Sequence, residues 1–417
     1  MMENRYDRYK DSGIAWIGEI PEHWNIGYVG KFLNEVNNRN TSQKETNTLQ
    51  FKMGEIVSKS DGNSKYNPES IESYNIVYPG TIMINGLNLS FDFVSQRVGL
   101  VKERGAITSA YLAMKPNDNC SPNYVTYLFK SYDYKKVFHS LGKGLRATLN
   151  YNIIRNELIV LPSFHEQQTI AAYLDQKCGE IDELITLQEE MITKLQGYKQ
   201  SVITEAVTKG LDKNVPLKDS GIEWIGEIPE HWEVKRLKNV CSQINIKENS
   251  KRNSLPYIGL ENIESGSGRY IDTISEIEGM ANRFCKNNVL FGKLRPYLSK
   301  VYLAEKDGIC SPEFIVYDTK SNNSRFIHKL LLSQPFIDVV NSSTYGAKMP
   351  RANGEFINNI YVQIPPLSEQ QSIADYLDQR CSEIDELISI KQQKIEKLKE
   401  YKKSLIFECV TGKRKVS

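Results

Sequence analysis

The sequence predicts an α/β (α+β) fold, with two similar domains separated by a pair of long helices and the whole pattern written twice along 417 residues. Three observations predict it. Residues 10–24, KDSGIAWIGEIPEHW, return at 218–232 as KDSGIEWIGEIPEHW, 15 residues with one difference. Residues 166–185, EQQTIAAYLDQKCGEIDELI, return at 369–388 as EQQSIADYLDQRCSEIDELI, with 16 identities in 20. Between these motifs each half carries a segment of about 140 residues that shares its pattern with the other half but not its sequence.

The elements follow in order. Each half opens on the short Trp-bearing motif. The first variable segment then gives YPGTIMINGLN (78–88) and GAITSAYLAM (105–114); the second gives NNVLFGKLRPY (287–297) and GICSPEFIVY (308–317). These short β-branched and aromatic runs, bounded by Gly, Pro and Asn, read as strands. A helix-like stretch comes next, around 124–138 and 325–340, then a Gly-bearing polar loop, LGKGLRATL or TYGAKMPRA, then an apolar strand ending in Pro, LIVLP or VQIPP.

Each half closes on a long helix. Apolar positions step by 4 and 3 through Leu174, Cys178, Ile181, Ile185, Ile192, Leu195, Val202 and Ala206, with Gln188 and Lys199 in the seam. The second seam runs Leu377, Cys381, Ile384, Ile388, Ile395, Leu398, Leu405 and Cys409, with Lys391 and Lys402 in it. Both are heptad patterns. Ser368 and Gln371 have the spacing of a capping box, and Gly210 and Gly412 fit the position just past a helix end. The 45 residues from 166 to 210 would make a rod of roughly 65 Å. The expected division is 1–165, 166–210, 211–368 and 369–417, with the two helices antiparallel.

Composition narrows the function. Hydrophobic content of 40% and charged content of 25% are ordinary for a globular protein. No run approaches the roughly 18 apolar residues of a membrane span. The first ten residues are polar and lack a signal-peptide core, so a cytoplasmic protein is expected. The seven cysteines form no CxxC pair and the five histidines no ligand spacing, so reduced thiols and no metal are expected. A net charge of +2 excludes binding of nucleic acid by bulk charge alone. No GxxxxGK[ST] and no NPPY-type motif is present, which argues against a self-contained DNA methyltransferase or nuclease.

The order of DSGIxWIGEIPEHW, variable domain, EQQxIAxYLDxxxxEIDELI on a long helix, and the same again, resembles the specificity subunit of type I restriction-modification systems. FGKLRPYLSK and GICSPEF are also similar to strands of that family's recognition domains. The resemblance covers essentially the whole chain. It implies a non-catalytic subunit whose domains each read one half of a split, asymmetric site in double-stranded DNA. The helices would set the half-site spacing. The repeats would dock two modification (methyltransferase) subunits, which restriction (translocase and nuclease) subunits then join. S-adenosylmethionine, ATP and Mg would belong to those partners, with no cofactor in this chain.

For DNA reading, Lys293 and Arg295 in FGKLRPY stand out, because Arg suits bidentate contact to guanine or phosphate. The matching place in the first half holds Asn85 and Asn88, so the half-sites should differ. The polar loops supply Lys143, Arg146 and Thr148 in the first half and Lys348 and Arg351 in the second. Tyr257, Asn262 and Arg269 flank a Gly/Ser-rich loop. For partner docking the repetition points to Trp16, Trp24, Trp224, Trp232, Asp182, Glu183, Asp385 and Glu386, although the tryptophans could equally be core. A coiled-coil scaffold that touches no nucleic acid would leave the basic loops unexplained.

Overall fold

The computed structural model describes residues 5–42, 44–59, 71–94, 96–142, 147–249, 254–273, 279–346 and 348–416. Contacts divide the chain into two units, Met1–Gln188 with Gln393–Ser417, and Glu189–Gln392. The dividing line falls inside both long helices, Phe164–Lys209 and Leu367–Val410. Each unit therefore owns one variable segment, the start of its own helix and the end of the other.

In the first unit the 10–24 motif folds into a hairpin, Tyr9–Asp11 against Glu19–Pro21. An antiparallel sheet orders Leu33–Glu35, Leu112–Pro116, Ile82–Ile84 and Val98–Leu100. Asn25–Tyr28 pairs with Leu158–Leu161. Helix Pro122–Tyr134 buries Tyr124, Leu128 and Phe129 in a core that also takes in Leu174, Cys178, Leu405 and Cys409 from the long helices. The helix pair in this unit is antiparallel: Arg414 reaches Tyr173 while Lys402 meets Asp182.

The second unit repeats this plan. Its hairpin is Leu217–Asp219 with Glu227–Pro229, and its sheet orders Ser242–Ile244, Phe314–Asp318, Val289–Gly292 and Val301–Leu303. Glu233–Arg236 pairs with Tyr361–Ile364. A second sheet of Lys247–Asn249, Met280–Phe284, Gly308–Cys310 and Tyr257–Ile258 covers a core of its own. Here too the helix segments are antiparallel, with Lys391 at Met191 and Lys199 at Asp385.

All twenty predicted seam positions are buried or half-buried, so the heptad reading holds. Gly210 and Gly412 do follow the helices, at φ +76° and +71°. A Cβ on Gly412 would also collide with Pro21. Two expectations are corrected. The helices expected over 124–138 and 325–340 are each broken: Pro122–Tyr134 is followed by Val137–Leu141, with left-handed Lys136 (φ +58°) between. Likewise Ser324–Leu332 is followed by Gln334–Ser342, because Pro335 lacks the amide needed to continue a helix. The Ser368–Gln371 capping box does not form, since the helix starts at Leu367 and Gln371 bonds Asp375 instead.

Candidate functional site

The two repeated motifs meet in each unit. Glu166 sits in the first turn of its helix, where the backbone dipole favours a carboxylate, and its N–H is capped by Ser163 Oγ (3.3 Å). Glu166 Oε1 accepts the Trp24 indole N–H (3.1 Å) and the Tyr6 hydroxyl (2.6 Å), and its Oε2 lies 3.1 Å from His23 Nε2. Burial and that bond hold the Tyr6 phenol well above its ordinary pKa. Gln167, buried, accepts Ser121 N–H (2.8 Å) and donates to the Asn119 and Pro162 carbonyls. Ser121 is in turn the N-cap of Pro122–Tyr134.

The second unit builds the same bracket. Glu369 accepts the Trp232 indole N–H (3.0 Å) and meets His231 Nε2 (2.6 Å). Gln370 accepts Asn323 N–H (2.8 Å) and donates to Asn322 Oδ1 and the Pro365 carbonyl. Asn323 caps Ser324–Leu332. EIPEHW and EQQ are thus two sides of one clamp, which explains why they recur together.

This placement revises the docking residues. Trp24 and Trp232 are fully buried and their indoles are bonded, so they are core rather than contact surface. Trp16 and Trp224 are half-buried, edge-on to Tyr132 (4.6 Å) and Phe336 (6.1 Å). Asp182 and Asp385 are bonded to Lys402 and Lys199. Glu183 and Glu386 are exposed.

In each unit two sequence-distant loops also come together. In the first unit Leu89 N–H donates to the Ala147 carbonyl (3.0 Å) and Leu149 N–H to the Gly86 carbonyl (2.9 Å), joining residues 85–94 to 147–149. Asn88 is exposed in the left-handed region (φ +54°), and Thr148 is exposed beside it. Asn85 is half-buried, its Oδ1 accepting Leu87 N–H (3.2 Å). Lys143 and Arg146 lie outside the described residues.

In the second unit Arg295 N–H donates to the Pro350 carbonyl (2.7 Å) and Ala352 N–H to the Lys293 carbonyl (3.0 Å). Arg295 is held left-handed (φ +50°), and its buried Nε has no partner among the described residues. Lys293 is half-buried and Lys348 exposed beside them. Arg351 is spoken for: its guanidinium makes a bidentate pair with Glu313 (3.0 and 2.6 Å).

The remaining predicted DNA contacts divide. Arg269 forks onto Glu264 (3.0 and 3.0 Å), which raises the guanidinium pKa further. Asn262 is buried, accepting Gly259 N–H and donating to Thr273, so it pins its loop and does not present an amide to a base. Tyr257 is half-buried, and burial raises its phenol pKa.

Residues 229–400 match the family described as type I restriction modification DNA specificity domain. Over nearly the full length, the chain is 23% identical to the type I restriction enzyme MjaVIII specificity subunit of Methanocaldococcus jannaschii, covering 95% of this chain and 94% of that one. Along nearly its whole length the chain is similar to type I specificity subunits. Another specificity subunit, EcoDI of Escherichia coli, is 26% identical over 53% of this chain and 54% of its own. Two solved structures share the fold of this chain. One is a chain from the type I R-M system, at TM-score 0.68, 14% identity and coverage of 94% and 98%. The other is the HsdS subunit from Thermoanaerobacter tengcongensis, at TM-score 0.51, 15% identity and the same coverage.

Two features of the chain escaped the sequence reading. Beside Glu183 and Glu386 the helices expose Leu184 and Leu187, and Leu387 and Ile390, at equivalent places in the repeat. Off-seam aliphatic residues repeated at one offset were the signal. The other feature is Arg97, a fully buried arginine behind residues 85–94. A lone Arg in a polar stretch gives no such signal, since arginines are mostly exposed.

Proposed function

We propose that the chain is the non-catalytic, sequence-reading subunit of a cytoplasmic type I restriction-modification complex. Each unit reads one half of a split, asymmetric site in double-stranded DNA, through residues 85–94 with 147–149 in one and 293–299 with 345–352 in the other. The observation that carries this is the joining of those loops in both units, each of which also holds a closely matching bracket, while the chemistry of the loops differs. Two unlike readers on like mounts suit an asymmetric bipartite site. Basic and amide groups in the loops supply phosphate and base-edge contacts.

The division of the chain into 1–165, 166–210, 211–368 and 369–417 is kept as a division of labour. The helical segments set the spacing between half-sites and dock two methyltransferase subunits. Exposed Leu184, Leu187 and Glu183, repeated as Leu387, Ile390 and Glu386, are the equivalent surfaces two identical partners require. S-adenosylmethionine, ATP and Mg act on the methyltransferase and restriction subunits.

The test is methylome sequencing of a methylation-free host carrying this chain with its neighbouring methyltransferase subunit, beside hosts carrying either alone. A split methyl-adenine motif is expected only with both. Methylation by this chain alone would make it an enzyme, and no motif in any host would favour a protein scaffold.

A further inference from the structure

We propose that Arg97 is a positioning residue for reading the first half-site: it fixes the shape of residues 85–94, which present Asn88 and an apolar tip to DNA. This rests on the DNA-reading function above.

The arginine is fully buried. Its Nη1 donates to the Asn85 carbonyl (2.9 Å) and the Leu87 carbonyl (2.8 Å), and its Nη2 to the Asp92 carbonyl (2.6 Å). Its own N–H donates to Asp133 Oδ2 (2.9 Å), which ties the loop to helix Pro122–Tyr134. The Asp92 carboxylate lies 3.5 Å from the guanidinium. One planar cation therefore holds three carbonyls spread over eight residues of loop. Lysine, a single point of charge, lacks the fork to do so.

The loop is braced again from outside. His139 stacks on Phe93 (4.8 Å between rings) and reaches the Asp92 carbonyl, and Lys136 Nζ donates to the Phe93 carbonyl. What these braces hold out is costly to expose: Phe91 is 76% accessible and Val94 92%. A loop fixed so firmly around an uncovered apolar tip suits insertion against base pairs, where such side chains act as wedges. The second unit differs. Lys300 stands at the equivalent strand position, and its Nζ donates to the Leu260 carbonyl, in another loop. The device serves one half-site only.

Arg97→Lys is tested in the complete complex with its methyltransferase partner. Competition binding uses duplexes altered in one half-site at a time. At least a ten-fold loss of base discrimination is expected at the first half-site. Discrimination at the second, and affinity for unrelated DNA, should stay within two-fold. Equal loss at both halves, or no loss at either, overturns the proposal. Should Arg97→Lys fail to assemble, His139→Ala removes only the outer brace; a few-fold loss confined to the first half-site supports the proposal and no change refutes it. Amide exchange over 85–94 in the unbound chain must also quicken in Arg97→Lys. If it does while the wild-type complex shows no split motif, the DNA reading has failed and the bracing of the loop has not.

Discussion

The tip of the first unit's proposed reading loop is apolar, with Phe91, Phe93 and Val94 exposed, whereas the second unit's loops set the basic Lys293, Arg295 and Lys348 beside exposed Tyr297, Tyr345 and Met349. The brackets, by contrast, match nearly group for group: Trp24, Glu166, Gln167 and Ser121 against Trp232, Glu369, Gln370 and Asn323. The bracket ties helix start, hairpin and helix cap at once, so a change in one member strands the others. The loops bond to the scaffold largely through backbone, which leaves their side chains free to diverge. Where one duplicated segment stayed fixed and another drifted, the hydrogen bonding explains which.

The largest test of that comparison removes the bracket. Trp24→Ala and Trp232→Ala each delete a fully buried indole, at a cost of about 3–5 kcal/mol, and leave Glu166 or Glu369 short of a donor. Denaturant unfolding should show comparable losses, each in its own unit. The loss should be slightly smaller at Trp24, because Tyr6 still bonds Glu166 and the equivalent position in the second unit is Asn214. A loss under about 1 kcal/mol in either would break the equivalence of the brackets.

Acid should separate the units. Counting from the two N-caps, His328 occupies the place of Thr126. It is buried, its Nε2 is 3.1 Å from the Val301 carbonyl, and burial pushes its pKa down to about 4, with Lys329 and Lys199 adding and Asp378 opposing. The unfolded chain therefore takes up the proton first. Stability of the second unit should fall as pH drops from about 6.5 towards 4, by up to about 3 kcal/mol. In the first unit burial raises the Asp133 pKa, so its folded form takes up a proton first and is favoured as pH falls. Hydrogen exchange, corrected for intrinsic rates, should show the second unit's helices opening first at pH 4.5. His328→Thr should flatten the difference.

The periodic parts of the fold were legible in the sequence. A 3.5-residue repeat survives as a buried seam whatever it packs against, and the strand runs landed because Gly and Pro bound them. Pro335 was equally visible, and it breaks a helix expected to run through it. The bracket was not legible, because Trp24 and Glu166 stand 142 residues apart and only their joint repetition hints at contact. Likewise Arg351, Arg269 and Asn262 read as free polar groups until folding supplied Glu313, Glu264 and Thr273. Sequence pattern locates a polar loop, but the partner that neutralises a side chain is a property of three-dimensional neighbours.

The reading loops can be tested by charge. Arg295→Ala should cost about 1–3 kcal/mol of binding and relax one position of the second half-site if the guanidinium reads a base. Arg351→Ala should cost less, because Glu313 already holds that guanidinium and would have to be released first. Binding across single-base variants distinguishes the cases. A uniform loss with Arg295→Ala would make it a phosphate contact, and a larger effect at Arg351 would mean that the Glu313 pair opens on DNA.

The smallest contrast lies in the helix seams, where each heptad run is interrupted by a lysine that finds an aspartate on the antiparallel segment in its unit. Lys199 is 10% exposed and bonds both Asp385 oxygens (2.8 and 2.7 Å), whereas Lys402 is 25% exposed and bonds both Asp182 oxygens (2.7 and 2.7 Å). The geometry is the same, so burial decides the difference. Asp385→Ala leaves the more deeply buried ammonium without its partner and should cost about 1–2 kcal/mol; Asp182→Ala leaves the wetter one and should cost about 0.5–1 kcal/mol. Raising salt should shrink the Asp182 effect more, because exposed pairs are screened more than buried ones. Equal costs at both sites and all salt concentrations would mean that the lysines reach water once unpaired, and that the seam tolerates charge without needing the aspartates.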